Sequence, residues 1–175
     1  MWGKIEETLC RAYLTERAVY FEKDSLFKAT HKAQTGTSKD KFKLYCRKNA
    51  LDQYFFYTTT SNINTCDPAL TVTVSPADWE EVESPRLKNE DTHINILHFD
   101  VLIFSEILGK FIVRRFTRVA ALSTVKWEEL REKYLNEKER LATLQLDAMN
   151  VANFALLGVD SQDELNESLA RLGLN

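Results

Sequence analysis

The chain is poor in glycine, proline and cysteine, with five, three and three of them among 175 residues. Three cysteines without a Cys-x-x-Cys spacing exclude a disulfide framework and give no zinc-site pattern. The sequence contains no glycine-rich phosphate loop, no nucleophile elbow and no metal-ligand spacing. We therefore expect a function that needs neither a metal ion nor a cofactor.

Long apolar segments are absent as well. No run approaches the roughly 20 residues that a membrane-spanning helix needs, and the N-terminus has no signal-peptide pattern. We therefore expect a cytoplasmic protein without a membrane anchor. The length and the ordinary composition indicate one domain with appendages and enough chain for a hydrophobic core.

Charge is distributed unevenly, although the net charge is only −3. Basic residues prevail from Lys23 to Lys48 and from Lys110 to Arg118, whereas acidic residues prevail after Lys126. Such asymmetry indicates a basic face for an anionic ligand and an acidic appendage. Charges that only solvate the surface are the alternative.

Residues 36–61 have the most informative pattern. Apolar residues alternate with Lys41, Lys43 and Tyr45, which is typical of a half-buried strand. A second strand is expected after it, because the residues that lead up to Ser61 are aromatic and β-branched. A basic loop therefore enters this hairpin and a run of hydroxyl groups leaves it, which indicates an edge that handles phosphate.

The elements around the hairpin follow from hydrophobic periodicity. A helix is expected over residues 3–16, with a stripe of Trp2, Ile5, Leu9 and Tyr13 packed on the sheet. Strands are expected over residues 18–22, 69–75, from 91 onward and over 110–121, with a helical turn after Ser75 and a loop over 85–90. Residues 97–108 fit a strand or a helix, and we favour a short helix that Gly109 ends.

The C-terminal part is predicted to be helical. Ser123 is a suitable N-cap for a long helix, and a capping box at residues 161–164 opens a final helix. Apolar residues at three- and four-residue spacing from 127 to 151 form a seam for another helix. We therefore divide the chain into residues 1–122 and a helical appendage, residues 123–175.

Six short motifs occur in order along the chain. They are Ala-Val-Tyr-Phe (18–21), a long loop with Gly36, Lys-Asp-Lys-Phe (39–42), Phe-Phe-Tyr-Thr-Thr-Thr-Ser (55–61), Asp-Thr-His-Ile-Asn (91–95) and Arg-Val-Ala-Ala-Leu-Ser (118–123). In this order they resemble the PemK/MazF-like toxin family of bacterial toxin–antitoxin modules, over about residues 18–135.

The resemblance implies an α+β fold, in which a small, strongly bent antiparallel β-barrel follows an N-terminal helix and precedes the helical appendage. It also implies a homodimer with metal-independent endoribonuclease activity on single-stranded RNA. The family's Arg-Pro at the loop–strand junction is Lys41-Phe42 here, and its opening Gly-Asp is Arg17-Ala18. Lysine offers a point charge where arginine offers a planar fork.

The resemblance also indicates which residues contact the phosphate. The basic role falls to Lys39, Lys41 or Lys43, and the hydroxyl role falls to Thr59, Thr60 or Ser61. We take Lys41 and Thr60 as the catalytic candidates and the others as RNA-binding candidates. Because side chains alternate along a strand, Thr60 faces away from Thr59 and Ser61, so only one of these sets points at the ligand.

Proton transfer and base stacking need other side chains. Cleavage without a metal needs a group that takes a proton from the ribose 2′-hydroxyl and a group that gives one to the leaving oxygen. His31 and His93 are the candidate pair, with a hydrogen-bonded structural histidine as the alternative for each, whereas His98 is expected to pack. Tyr45 is the candidate for base stacking because it shares a face with the lysines.

Two other functions are compatible with the sequence. One is a non-catalytic module on the same fold that binds nucleic acid or a protein. The other is an interaction protein whose C-terminal helices dock an antitoxin or another protein partner, with the barrel as a scaffold.

Overall fold

The computed structural model describes residues 3–23 and 40–157. Three predicted features, His31, Lys39 and the final helix after residue 160, lie outside this part of the chain. The chain forms two compact units, Met1–Glu132 and Lys133–Asn175.

The described part contains helices, strands and short 3-10 turns. The α-helices are α1 (Lys4–Tyr13), α2 (Pro85–Asn89), α3 (Phe104–Ile112) and α4 (Thr124–Leu157). The strands are β1 (Ala18–Glu22), β2 (Lys41–Lys48), β3 (Gln53–Thr60), β4 (Thr71–Val74), β5 (Trp79–Glu80), β6 (Thr92–Ile103) and β7 (Phe116–Leu122). The 3-10 turns are Ile63–Thr65, Pro68–Leu70 and Pro76–Asp78. None of the helices in this part is long and apolar enough to cross a membrane.

The strands form one antiparallel sheet in the order β4-β6-β3-β2-β1-β7-β5. The sheet curls into a half-barrel whose terminal strands, among the described residues, are β4 and β5. An N-terminal helix precedes the sheet and a long helix follows it. The predicted α+β fold class, with a strongly bent antiparallel sheet, is therefore confirmed.

One face of the sheet packs against α1 and α3, and we call it the α1/α3 face. The Tyr20 and Phe116 rings stack here with centroids 4.6 Å apart, and Phe56 meets Tyr20 edge-on at 6.1 Å. These rings are fully buried together with residues of α1 and α3, and aromatic burial of this kind is a major source of core stability. Toward one end of the strands the same face becomes polar, beginning at Glu22 on β1 and Lys43 on β2.

The apolar stripe predicted for α1 faces the sheet only in part. The Tyr13 ring packs against that of Tyr20, with centroids 5.6 Å apart, and Trp2 lies outside the described residues. Ile5 and Leu9 are 74% and 57% exposed, whereas Cys10 is fully buried. The rotation of the helix is fixed by Arg11, whose guanidinium binds Asp52 and lies 3.7 Å from the centroid of the Phe104 ring. This tertiary contact turns the Cys10 side of α1 inward, so the prediction from periodicity was wrong for Ile5 and Leu9.

Three boundaries between Pro85 and Leu122 also differ from the prediction. Residues 97–103 belong to strand β6, so the favoured helix over 97–108 was wrong there and right for residues 104–108, which lie in α3. The helix continues through Gly109 to Ile112, so the expected helix end at Gly109 and strand start at residue 110 were wrong. The long pairing of β6 with β3, up to Ile103 opposite Gln53, explains why the strand continues. Residues 85–89 form helix α2 instead of a loop, and His98 is exposed instead of packed.

The predicted helical turn after Ser75 and the predicted N-cap at Ser123 are both present. Ser75 and Asp78 form a capping box around the Pro76–Asp78 turn, where the Ser75 backbone N donates to Asp78 Oδ2 at 2.9 Å. Ser123 Oγ accepts a hydrogen bond from the backbone N of Lys126 at the start of α4, at 3.3 Å. Such caps satisfy backbone donors that a helix terminus leaves without partners.

Asp52 joins the β2–β3 turn to α1 and makes stability depend on pH. Its carboxylate accepts two 2.8 Å hydrogen bonds from Arg11, which lowers the pKa of Asp52 from its ordinary value of 3.8. A carboxyl whose pKa is lower in the folded state stabilises the fold at pH values above its unfolded-state pKa. This stabilisation is lost as the pH falls through the folded-state pKa. We expect Asp52→Asn to lower the free energy of unfolding by about 0.5–1 kcal/mol at pH 7, a small amount because the ion pair is half exposed. In acid, where the Asp52 carboxylate is protonated, we expect no difference between the two proteins.

Urea unfolding of both proteins as a function of pH measures this difference. Asp52 has a positive φ of 59°, and asparagine tolerates that backbone conformation equally well. The variant therefore tests the charge and leaves the turn intact. A stability difference that stays constant from neutral pH to acid would contradict the assignment.

Candidate nucleic-acid interface

Five neighbouring strands bring one residue each into a row on the α1/α3 face. Glu22 on β1 pairs with Lys41 on β2, and His93 on β6 pairs with both Thr60 on β3 and Thr73 on β4. The β2–β3 pairing ends at Lys43 opposite Thr58, so Lys41 and Thr60 each lie two residues beyond the last pair, on the face that Lys43 and Thr58 share. Directly opposite residues project to the same face of a sheet. We call these five residues the polar row.

Three of the predicted catalytic residues, Lys41, Thr60 and His93, belong to the polar row. Thr60 and His93 lie directly opposite one another on neighbouring strands, which are about 4.8 Å apart, and Lys41 lies on the next strand, two residues beyond its last pair with β3. Lys41 is exposed. The Thr60 hydroxyl oxygen accepts a hydrogen bond from the backbone N of Asn62 at 3.1 Å. A phosphate group above Thr60 is therefore within reach of a cationic and a hydroxyl donor.

His93 is held in a fixed orientation at the far side of Thr60. Its Nδ1 lies 2.9 Å from Thr73 Oγ1, so Nε2 is the nitrogen that remains for proton transfer. The residue is only 5% exposed. Contact with a ligand is therefore confined to the small part of the residue that reaches the surface.

Lys43 points to the same face as Lys41, but its surroundings are different. Its side chain is 8% exposed, its Nζ lies 3.4 Å from the Glu22 carboxylate, and it forms a second ion pair with Asp100 of β6. Lys110 of α3 pairs with the other oxygen of Glu22. Glu22, Lys43, Asp100 and Lys110 therefore form a network, which we call the charge cluster. It compensates the charge of Lys43 within the fold, while the predicted RNA contact of Lys43 stays a prediction.

Tyr45 shares the face of the lysines, as its position in the strand predicts, but it lies in the aromatic core. It is 6% exposed, and its ring centroid is 5.5 Å from that of Phe56 and 5.9 Å from that of Tyr54. Burial raises the pKa of Tyr45 to about 12. Base stacking needs an accessible ring face, so its neighbours leave Tyr45 with a packing role in this conformation.

The other two hydroxyl candidates lie away from the polar row. Thr59 pairs with Ile94 on the opposite face of the sheet, and its Oγ1 donates a 3.0 Å hydrogen bond to the carbonyl oxygen of Phe42. Ser61 follows the last residue of β3 and is half-buried. Among the three hydroxyl candidates, Thr60 is thus the one that the sheet places beside Lys41 and His93.

Further basic residues lie at the β1 end of the polar row. The backbone N of Lys23 donates to the carbonyl oxygen of Arg115 at 2.8 Å, which places the two residues side by side. Lys23, Arg114 and Arg115 are exposed. The basic segments that were distant in sequence therefore meet at one end of the sheet, where they attract anions.

Sequence reasoning missed two features of this surface. Thr73 was assigned only to an alternating strand, although that alternation marks it as a side chain on one face. Glu22 and Asp100 had no signal of their own, because their ion pairs with Lys43 join strands that are far apart in sequence. A carboxylate at the end of a short apolar strand is a weak clue that a partner exists.

No cluster of three or more His, Cys, Asp or Glu side chains that could hold a metal ion occurs among residues 3–23 and 40–157. No protein-family model and no curated protein sequence matches this chain. The likeness to the PemK/MazF-like family therefore rests on the order of the six sequence motifs.

Proposed function

We propose that this protein is a metal-independent endoribonuclease that cleaves single-stranded RNA, as a toxin or effector of a toxin–antitoxin or defence module. The observation that carries the proposal is the polar row, in which His93 lies opposite Thr60 and Lys41 lies on the neighbouring strand of the same face. These residue types are the ones that RNA cleavage without a metal needs.

The chemistry assigns one role to each of the three side chains. The ribose 2′-oxygen attacks the adjacent phosphorus, a 2′-O–P bond forms and the P–O5′ bond breaks, which gives a 2′,3′-cyclic phosphate and a 5′-hydroxyl. His93 Nε2 takes the proton of the 2′-hydroxyl, and water supplies the proton of the leaving oxygen. Lys41 and the Thr60 hydroxyl stabilise the charge that develops on the phosphate oxygens.

The second candidate is a non-catalytic module that binds single-stranded RNA through the same surface. Two observations favour it. His93 is 5% exposed, which restricts its contact with substrate, and the charge of Lys43 is compensated by two carboxylates. Binding then depends on Lys41 and the exposed basic residues beside it, without proton transfer by His93.

One experiment distinguishes the two candidates. The purified protein is incubated with a labelled single-stranded RNA in EDTA, and mass spectrometry identifies the product termini. We expect cleavage with 2′,3′-cyclic phosphate ends, reduced at least about 10-fold in Lys41→Ala. Lys48→Ala is the matched control, because this exposed lysine lies at the other end of β2, about 23 Å away.

The outcomes separate the candidates clearly. Binding of the RNA without cleavage supports the non-catalytic module, and Lys41→Ala then weakens binding alone. Cleavage that depends on added metal, or that Lys41→Ala and Lys48→Ala change equally, contradicts the nuclease proposal. The proposal also includes a homodimer and an antitoxin-type partner of the C-terminal helices, both taken from the resemblance, and sedimentation velocity measures the former.

A further inference from the structure

An open depression of about 320 Å³ lies beside the polar row, between α3 and the start of β7. It is lined by Ser105, Glu106, Gly109, Lys110, Val113 and Arg115. Lys110 joins the depression to the polar row, because its ammonium group also pairs with Glu22. The backbone of Arg115 lies beside that of Lys23, directly after Glu22 on β1.

The charged residues of the lining are two cations, Lys110 and Arg115, and one carboxylate, Glu106. Burial lowers the pKa of Lys110, and the nearby charge of Arg115 lowers it further, so the two cations are close enough to repel one another. Glu106 is the carboxylate that lines the depression, and its Oε2 accepts a 3.0 Å hydrogen bond from the backbone N of Ile103. Lys110 already pairs with Glu22, so an anion between Lys110 and Arg115 adds a second negative partner for Lys110 and relieves the repulsion between the two cations.

The shape of the depression depends on a glycine. Gly109 lies inside α3, where glycine is less favourable than alanine. A Cβ atom at this position meets no atom within 4 Å. Packing therefore does not exclude a side chain at position 109. Because glycine has none, space is left in the wall of the depression.

The backbone after α3 points to the same region. Arg114 has a positive φ of 55°, and the backbone N atoms of Arg114 and Arg115 donate to the carbonyls of Phe111 and Lys110. This is a Schellman motif, in which the left-handed position is usually glycine. An arginine here accepts backbone strain, and the motif sets the position of Arg115 at the mouth of the depression.

We propose that Lys110 and Arg115 form a phosphate-binding subsite over Gly109, which holds the backbone phosphate of a nucleotide next to the one that is cleaved. The inference rests on the proposed function, because it extends the RNA path from the polar row across β1. The Cα atom of Arg115 lies about two strand spacings, or about 10 Å, from that of Lys41. A neighbouring phosphate of the same strand spans that separation.

The test uses 2′-O-methyl RNA, which lacks the attacking hydroxyl, so binding is measured without cleavage. Fluorescence anisotropy compares a pentanucleotide with a dinucleotide that has a single phosphate. We expect Arg115→Gln to weaken binding of the pentanucleotide about 10-fold. The slope of the logarithm of its binding constant against the logarithm of the salt concentration should become shallower by about 0.7, the value for the loss of one phosphate contact. The dinucleotide should bind as it does to the unchanged protein.

Gly109→Ala tests the shape without removing a charge. Alanine favours the helix and meets no neighbour, so we expect an equal or higher Tm together with weaker pentanucleotide binding. Arg131→Gln, an exposed arginine of α4, is the control and should leave binding unchanged. Pentanucleotide binding that neither Arg115→Gln nor Gly109→Ala weakens overturns the subsite.

Failure of the proposed function is recognised separately. If no RNA is bound or cleaved, pyrophosphate is titrated into the protein and the amide signals of Gly109 and Arg115 are followed by NMR. Saturable shifts that Arg115→Gln abolishes support an anion site independent of RNA. The absence of such shifts overturns the subsite as well.

Discussion

His93→Asn is expected to reduce RNA cleavage at least about 100-fold, because proton transfer by a positioned side chain contributes about 10²–10⁴-fold to rate. Asparagine can keep a hydrogen bond to Thr73 in place of Nδ1, whose 2.9 Å contact fixes the ring in the native protein. It removes Nε2, the nitrogen to which the proposed reaction assigns the proton. The kcat of the variant is measured with single-stranded RNA in EDTA.

Two controls show whether the loss belongs to proton transfer. His98→Asn makes the same substitution on the same strand at an exposed position, and it should leave kcat within about twofold. The pH–rate profile of His93→Asn should lack one limb of the native profile, which a purely structural role does not predict. Equal Tm values exclude unfolding as the cause, and an unchanged pH profile with full kcat contradicts the assignment of His93.

Lys43→Met is expected to destabilise the protein by about 2–3 kcal/mol. Removal of one partner from a buried ion pair typically costs about 3–5 kcal/mol, because it leaves an uncompensated charge. Here Glu22 keeps Lys110 as a partner and Asp100 is 41% exposed, so solvent screening reduces the cost. Methionine retains most of the length of the lysine stem, so the substitution tests the charge more than the packing. Urea unfolding with a constant m-value measures the change.

A second variant separates the charge effect from packing. Adding Asp100→Asn to Lys43→Met should restore part of the lost stability, because Asp100 is the carboxylate that loses its ion pair, whereas Glu22 keeps Lys110. Lys41→Met, at the exposed lysine of the same face, should stay within about 0.5 kcal/mol of the native protein. If Lys43→Met left stability unchanged and instead weakened RNA binding, Lys43 would be an RNA contact, as its place in the sequence pattern predicts.

Local patterns were sufficient for the elements whose neighbours in sequence are also their neighbours in space. The β2–β3 hairpin, the capping box at Ser75 and the N-cap at Ser123 each depend on residues within a few positions of one another. The grouping of Lys41, Thr60 and His93 was predicted as a set of residues. The proximity of Thr60 to His93 followed only from the pairing of β3 with β6.

Sequence reasoning was wrong where distant contacts override local preference. The periodicity of α1 predicts a buried Ile5–Leu9 stripe, but the Arg11–Asp52 pair and the Phe104 ring set a different rotation. Residues 97–103 fit a helix or a strand equally well. Their cross-strand partners on β3 decided for the strand, because pairing satisfies the backbone donors and acceptors of both.

Local patterns in the sequence were enough to establish the β2–β3 hairpin, a basic strand next to a strand rich in hydroxyl groups, whereas the antiparallel α+β fold was implied by the family resemblance. Alternation and capping depend on short-range sterics and hydrogen bonds, which a local stretch of chain already contains. Only the tertiary structure decided which lysine stays at the surface, Lys41, and which is enclosed by carboxylates, Lys43. Those carboxylates come from strands far apart in the chain, and burial depends on neighbours that no local pattern specifies.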